Sequence, residues 1–144
     1  MIWQGKVYMR KEKAVDYFLG RNGARRMNCA QAVVAAFETE RFFSEEEFQE
    51  FAICSNGKAP QGYCGAVYAA IKVLEKIDTI AKMQFMDDFS EYAGSLSCKV
   101  IRSKKKITCP QCVERSAVFI ETLLIQNKKD LQKPFSSIIK ERFS

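Results

Sequence analysis

Apolar residues recur along most of the chain at intervals of three and four positions, the period of an amphipathic α-helix. This pattern predicts a first helix around Lys11 to Leu19, which the glycines and asparagine of residues 20–23 end. Asn28 and Gln31 have the spacing of a capping box and predict a second helix that runs to about Phe42. The start of the chain is therefore expected to be helical.

The same signals continue through the rest of the chain. Ser44 with Glu47 predicts the start of a third helix, and Thr108 or Cys109 is expected to cap the last strong one. The predicted segments are a helix of small residues from about Cys64 to Ile77, a helix from Ala81 to Leu96, a basic connector from Lys99 to Lys106, a polar stretch from Gln126 to Lys133 that follows the last strong helix, and a weaker tail helix after Pro134.

The pattern indicates an all-α protein. We find no run of alternating apolar and polar residues typical of a half-buried strand, no internal repeat and no sustained heptad. A chain of 144 residues with 47% hydrophobic residues is large enough for one hydrophobic core. We therefore predict a single domain over residues 1–144, a compact bundle of about five to six helices with its core over about 11–126 and a C-terminal tail over 127–144.

The chain contains six cysteines and no histidine. The absence of histidine excludes Cys-His nucleophilic pairs, mixed Cys and His zinc sites and c-type haem attachment. The segment from Met1 to Lys13 has no unbroken apolar stretch of the kind found in a secretory signal, so we expect a cytoplasmic protein. In a reducing compartment, cysteines are better explained by metal binding or redox chemistry than by disulfides.

No apolar run approaches the roughly 20 residues that span a bilayer, and we predict no membrane span. The net charge of +6 is concentrated between Lys99 and Lys106. Binding of single-stranded nucleic acid requires aromatic residues among the basic ones, but Val100, Ile101 and Ile107 are aliphatic. We therefore predict no nucleic-acid partner, and the basic run is equally explained as a solvated loop.

Three cysteines, Cys29, Cys64 and Cys109, fall at the starts of predicted helices. Free backbone N–H groups and the helix dipole at such a position stabilise a thiolate. The thiolate is the form that attacks disulfides and binds metals, so this placement supports either chemistry without choosing between them.

Cys109 and Cys112 form a Cys-x-x-Cys motif at the start of a predicted helix. This motif makes them the candidate catalytic pair of a dithiol mechanism. A thioredoxin-like fold is excluded because that motif belongs between a strand and a helix, and the chain lacks the strands. Two buried core cysteines are the alternative interpretation.

Four short segments occur in a recognisable order. They are Asn28-Cys29-Ala30-Gln31-Ala32-Val33, Cys64-Gly65-Ala66-Val67, Gly94-Ser95-Leu96-Ser97-Cys98 and Cys109-Pro110. In this order and spacing, they resemble a redox-active family named for its C_GCAxxG_C_C cysteine signature. The resemblance runs from about Ala14 to Leu124 and implies a compact helical protein.

The resemblance maps the family's four signature cysteines to Cys29, Cys64, Cys98 and Cys109, which would be the cofactor and metal ligands. A related domain occurs in split-Soret cytochromes, which suggests an iron–sulfur site, whereas the missing histidines argue against haem. The resemblance to the redox-active family also implies an electron-transfer or redox partner protein, which the sequence does not identify.

Three functions follow from these observations. Four thiolates from separate helix starts suit an iron–sulfur cluster, which we favour. The alternatives are a cluster-free dithiol protein using Cys109 and Cys112, and a structural zinc module. No hydrolase or transferase motif is present, and the sequence decides neither whether the protein is an enzyme nor whether it forms a homodimer.

Overall fold

A computed structural model describes residues 9–131 of the chain, with side chains up to residue 127. This part of the chain contains seven α-helices and three short 3₁₀ turns, and no named strand, so the all-α prediction is confirmed. The helices are α1 (Arg10–Leu19), α2 (Cys29–Ala35), α3 (Glu45–Glu50), α4 (Gly65–Glu75), α5 (Thr79–Ala93), α6 (Cys98–Lys104) and α7 (Cys109–Leu131).

The predicted stop and cap around the first two helices are confirmed. Gly20 ends α1 in the left-handed conformation, at φ 70°. The Asn28 side chain caps α2, because its Oδ1 accepts a hydrogen bond of 2.7 Å from the backbone N–H of Gln31. Its Nδ2 donates to the carbonyls of Phe51 and Ala52, at 2.9 Å each, and this ties the start of α2 to the segment after α3.

Helix α4 lies at the centre of the fold and packs against α2, α5 and α7. Ala66, Ala69 and Ala70 are fully buried on it, beside Val67 and Val73. Small side chains let helix backbones approach closely, so α4 can contact three neighbours at once. Helix α1 packs against α7 and α2, and this arrangement buries one continuous core.

The predicted count of five to six helices was too low, because the segment expected to be a basic connector forms α6. Ser97 caps this helix by accepting a hydrogen bond of 3.5 Å from the backbone N–H of Val100. Cys98 and Ile101 are its only buried residues. Such a narrow apolar face within a run of cations gives little helical periodicity, and the sequence pattern therefore missed it.

Helix α2 ends at Ala35 rather than near Phe42, where the prediction placed its end. The guanidinium of Arg10 on α1 donates to the carbonyl of Ala36 at 3.1 Å and forms two hydrogen bonds, of 2.7 and 2.8 Å, with the carboxylate of Glu40. These contacts hold the chain in a separate 3₁₀ turn, Glu38–Glu40, beyond α2.

Helix α7 continues to Leu131 through most of the stretch that was expected to be polar and non-helical. The predicted tail helix after Pro134 lies outside the described residues. Among the helices of residues 9–131, none is long and apolar enough to cross a bilayer, in agreement with the prediction.

Candidate functional site

Four cysteines stand at the starts of four different helices. Cys29, Cys98 and Cys109 are the first residues of α2, α6 and α7, and Cys64 is the N-cap residue of α4. Sequence analysis placed three of them at helix starts and missed Cys98 because α6 was taken for a connector. The helices that begin with these residues direct the cysteines to one region of the fold.

Electrostatic interactions show that the thiols lie near one another. Burial, together with the negative charges of Cys64 and Cys109, raises the pKa of Cys29 to about 12. Backbone N–H groups of Ala30 and Ala66 point at the Cys29 sulfur and act in the opposite direction. The expected lowering of pKa at this helix start is therefore overcome by burial and by neighbouring sulfurs.

Gly65 is the close neighbour of Cys29 on α4. A Cβ at Gly65 would lie 2.5 Å from the Cys29 sulfur and closer still to the carbonyl oxygen of Cys54. The Cys29 thiol itself lies 4.0 Å from that carbonyl oxygen. The missing side chain at position 65 is thus what allows α2, α4 and the loop after α3 to meet around this sulfur.

The pKa of Cys64 is shifted in the opposite direction to that of Cys29. The thiol of Cys112 donates a hydrogen bond to its sulfur and is the main cause that lowers the pKa of Cys64 to about 7. Burial opposes this shift, while the backbone N–H groups of Val67 and Ala66 and the charge of Arg102 support it. Among Cys29, Cys64 and Cys98, only Cys64 therefore has the lowered pKa expected at a helix start.

Cys98 is buried at the start of α6, and burial raises its pKa. The Arg102 guanidinium acts against this rise, whereas the charges of Cys64 and Cys109 add to it. The backbone N–H of Gly57 also donates to the Cys98 sulfur. Cys98 therefore interacts electrostatically with the same two thiols, Cys64 and Cys109, as Cys29 does.

Arg102 forms hydrogen bonds with both a loop residue and one of the thiols. Its guanidinium donates a hydrogen bond of 2.7 Å to Oδ1 of Asn56 and another to the sulfur of Cys109. It also lies within electrostatic range of Cys98 and Cys29. Cys109 is exposed, so one cysteine of the group is open to solvent beside a fixed positive charge.

The two cysteines that do not stand at a helix start differ in position. Cys112 is 2% exposed and contacts Cys64, and this contact and burial raise its pKa. Cys54 donates to the carbonyl of Glu50 at 3.8 Å, and burial raises its pKa as well. No local pattern in the sequence indicates the Cys64–Cys112 contact, because it depends on how α4 packs against α7.

The ligand set of the site is entirely sulfur. Within residues 9–131, no three His, Cys, Asp or Glu side chains are grouped so that they could hold one metal ion. A single zinc ion needs its four sulfurs about 2.3 Å from one point, whereas each thiolate of a [4Fe–4S] cluster binds a separate iron. Either kind of site would have to draw its ligands from these four helix starts.

Comparison with known proteins gives the family. A family model described as "Putative redox-active protein (C_GCAxxG_C_C)" matches residues 27–123. No curated protein matches the chain. No solved structure matches it either. The matched range contains every cysteine of the site, and the chain belongs to the C_GCAxxG_C_C family of redox-active proteins.

Proposed function

We propose that this chain is an electron-transfer protein in which Cys29, Cys64, Cys98 and Cys109 hold an iron–sulfur cluster. The observation that carries this proposal is the convergence of four thiols from the starts of α2, α4, α6 and α7. Cysteine thiolates are the usual ligands of such clusters, and the donor set contains no competing histidine.

The charges of the site support a positively charged occupant. Burial is the main cause that raises the pKa of Cys29 and of Cys98, and the charges of Cys64 and Cys109 add to it because neighbouring thiolates repel. Bound iron would relieve this repulsion and displace the thiol protons. Uptake of iron is therefore expected to release protons and to weaken as the pH falls.

The chain also provides the hydrogen bonds that adjust a cluster's potential. Backbone N–H groups of Ala66, Val67 and Gly57 point at the sulfurs, and the Arg102 guanidinium lies beside Cys109. Such donors stabilise the more negative, reduced form of a cluster. A bound cluster would supply a one-electron carrier.

The exposure of the ligands suggests where an electron would leave. Cys64 and Cys98 are buried, whereas Cys109 is exposed at the surface. The expected redox partner protein, which is not identified, would therefore approach from the side of Cys109. Burial of the other ligands would keep water away from most of the cluster.

Iron and acid-labile sulfide analysis, with a visible spectrum, tests the proposal on the full chain purified anaerobically. We expect iron, sulfide and a broad visible absorption in the wild type, all strongly reduced in Cys98→Ser. Cys54→Ser is the matched control and should keep them, because the Cys54 thiol donates to the carbonyl of Glu50 and only the backbone carbonyl of Cys54 contacts Cys29. Wild-type protein without iron or sulfide would refute the proposal.

A cluster-free dithiol mechanism is the second candidate, and the contact of Cys64 with Cys112 favours it. The Cys64 thiolate would attack the disulfide of a partner and form a mixed disulfide with it. The Cys112 thiolate would then attack Cys64 in this mixed disulfide and release the partner as a thiolate. The two thiols lose two protons and two electrons and form one disulfide, while the partner gains two thiols. The pair predicted from the sequence, Cys109 and Cys112, remains a prediction.

Two variants separate the candidates. In the dithiol mechanism, oxidation of metal-free protein by a low-molecular-weight disulfide forms a Cys64–Cys112 bond that peptide mass spectrometry detects. Cys112→Ser abolishes this bond and Cys98→Ser does not. In the cluster proposal, Cys98→Ser lowers the iron content and Cys112→Ser does not, because Cys98 is a ligand and Cys112 is not. Zinc without sulfide would instead support the structural zinc module.

A further inference from the structure

A cleft of about 390 Å³ opens beside the cysteine site. Cys29 and Cys109 lie along it with Phe18, Met27, Arg26 and Arg102. None of its described lining residues is acidic. The volume lies within the range of about 300–1,000 Å³ that is usual for pockets that bind small molecules.

The two arginines of the cleft have no carboxylate partner within residues 9–131. No ion pair or hydrogen bond joins the Arg26 guanidinium to another described residue, and Arg102 bonds only Asn56 and Cys109. By contrast, Arg10 and Arg115 both pair with carboxylates. A guanidinium presents a planar fork of donors that matches a carboxylate. Arg26 is therefore free to bind an anion, and Arg102 keeps further N–H donors beyond those that bond Asn56 and Cys109.

The rest of the lining indicates which kind of anion fits. Phe18 and Met27 provide an apolar surface, and an inorganic ion would leave most of the volume unfilled. An organic ligand can place its carboxylate against a guanidinium and its hydrocarbon part against these side chains.

We propose that this cleft is a binding site for a small organic carboxylate, held by Arg26 and Arg102 with its apolar part against Phe18 and Met27. The ligand lies across the open side of the cysteine group and covers Cys109. Its binding therefore limits access to the Cys109 sulfur, both in the free thiol and in a bound form. This inference concerns the cleft and does not depend on whether the cysteines hold a cluster.

Isothermal titration calorimetry of the full chain with phthalate tests the proposal. Phthalate carries two carboxylates and an apolar ring, and we expect saturable binding of one molecule per chain. Arg26→Gln should weaken binding about tenfold, as expected for the loss of one charge-assisted pair. Arg25→Gln is the matched control, because it removes the same charge from an exposed neighbour outside the cleft and should leave the affinity unchanged.

A second variant tests the contribution of the Arg102 guanidinium. Arg102→Lys keeps the positive charge beside the thiols but loses the planar pair of donors, so phthalate should bind several-fold more weakly. Inorganic phosphate should bind more weakly than phthalate to the wild type. Absence of saturable phthalate binding, equal weakening by Arg25→Gln and Arg26→Gln, or equal affinity for phosphate and phthalate would each overturn the proposal. Melting curves confirm that the variants are folded.

Discussion

Gly65 and the sulfur of Cys29 are packed so closely that position 65 cannot carry a side chain without displacing the sulfur. The contact connects α2 to α4 at the centre of the cysteine group. It also brings in the backbone of Cys54, which faces Gly65 from the loop after α3. One missing methyl group thus determines whether three segments of the chain can meet.

We expect Gly65→Ala to destabilise the fold by about 3 kcal/mol, because neither the Cys54 carbonyl nor the Cys29 sulfur can move without disturbing the core. Chemical denaturation measures the change. Gly23→Ala is the control, since no atom lies within 4 Å of a Cβ there. That change should cost only about 1 kcal/mol for the left-handed backbone at φ 80°. Equal losses in the two variants would contradict the packing argument.

Ser116 on α7 is 0% exposed, and its hydroxyl has no hydrogen-bond partner among the described residues. A buried hydroxyl without a partner loses its hydration without compensation. Ser116→Ala should therefore raise the free energy of unfolding by about 1 kcal/mol and the melting temperature by about 3 °C.

Thermal melting of a second serine variant provides the comparison for this prediction. The hydroxyl of Ser103 donates to the carbonyl of Val100 at 2.9 Å on the exposed side of α6. Ser103→Ala should leave the melting temperature unchanged or slightly lower. A lower melting temperature for Ser116→Ala would show that its hydroxyl makes a stabilising bond.

The ion pair of Arg10 with Glu40 should make stability depend on pH. Hydrogen bonding to Arg10 holds the pKa of Glu40 below its ordinary value. The contribution of Glu40 is therefore present above the pKa of the unfolded chain and is lost as the pH falls through the lowered pKa of the folded chain.

Glu40→Gln should cost about 1 kcal/mol near neutral pH, the upper range for a partly exposed pair. The difference from the wild type should shrink toward zero in acid, below both pKa values. Urea denaturation across this pH range measures it. Glu91→Gln removes one carboxylate from an exposed position that has no ion pair within residues 9–131, and it serves as the control for the change in net charge. A constant cost of Glu40→Gln at every pH would rule out the ionic explanation.

The contact between Cys112 and Cys64 predicts a thiol titration in metal-free protein. Because the Cys112 thiol donates to the Cys64 sulfur, one thiolate should form near pH 7. Cys112→Ala removes the donor and should raise the pKa of Cys64, whereas Cys112→Ser keeps a hydroxyl donor and should largely preserve it. Ultraviolet thiolate absorbance measures the titration. Identical curves for the wild type and Cys112→Ala would show that the donor has no effect.

Local signals in the sequence predicted much of the fold. Gly20, the Asn28 cap and the capping box of Ser44 with Glu47 act within one helical turn, and each lies where it was expected. Helix α6 escaped prediction because Ile101 is the only buried aliphatic residue that marks its inner face. A pattern with one apolar position carries too little periodicity to detect.

The candidate site was harder to predict than the fold. The sequence indicates which cysteines begin helices, but the contact of Cys64 with Cys112 arises only when α4 packs on α7. The expectation of lowered pKa values also failed at Cys29, since the cost of burying a charge there exceeds the effect of the helix start. Burial depends on the whole fold and cannot be read from a local motif.

Because Cys29, Cys64, Cys98 and Cys109 stand at the starts of four separate helices, any group that holds all four sulfurs would link its binding to the folded state. A group that binds these thiols together would connect the starts of α2, α4, α6 and α7, and unfolding would separate the sulfurs that hold it. Such a ligand raises the apparent stability by mass action, since the unfolded chain does not hold the sulfurs in place. The melting temperature of this protein should therefore report the chemical state of its cysteines.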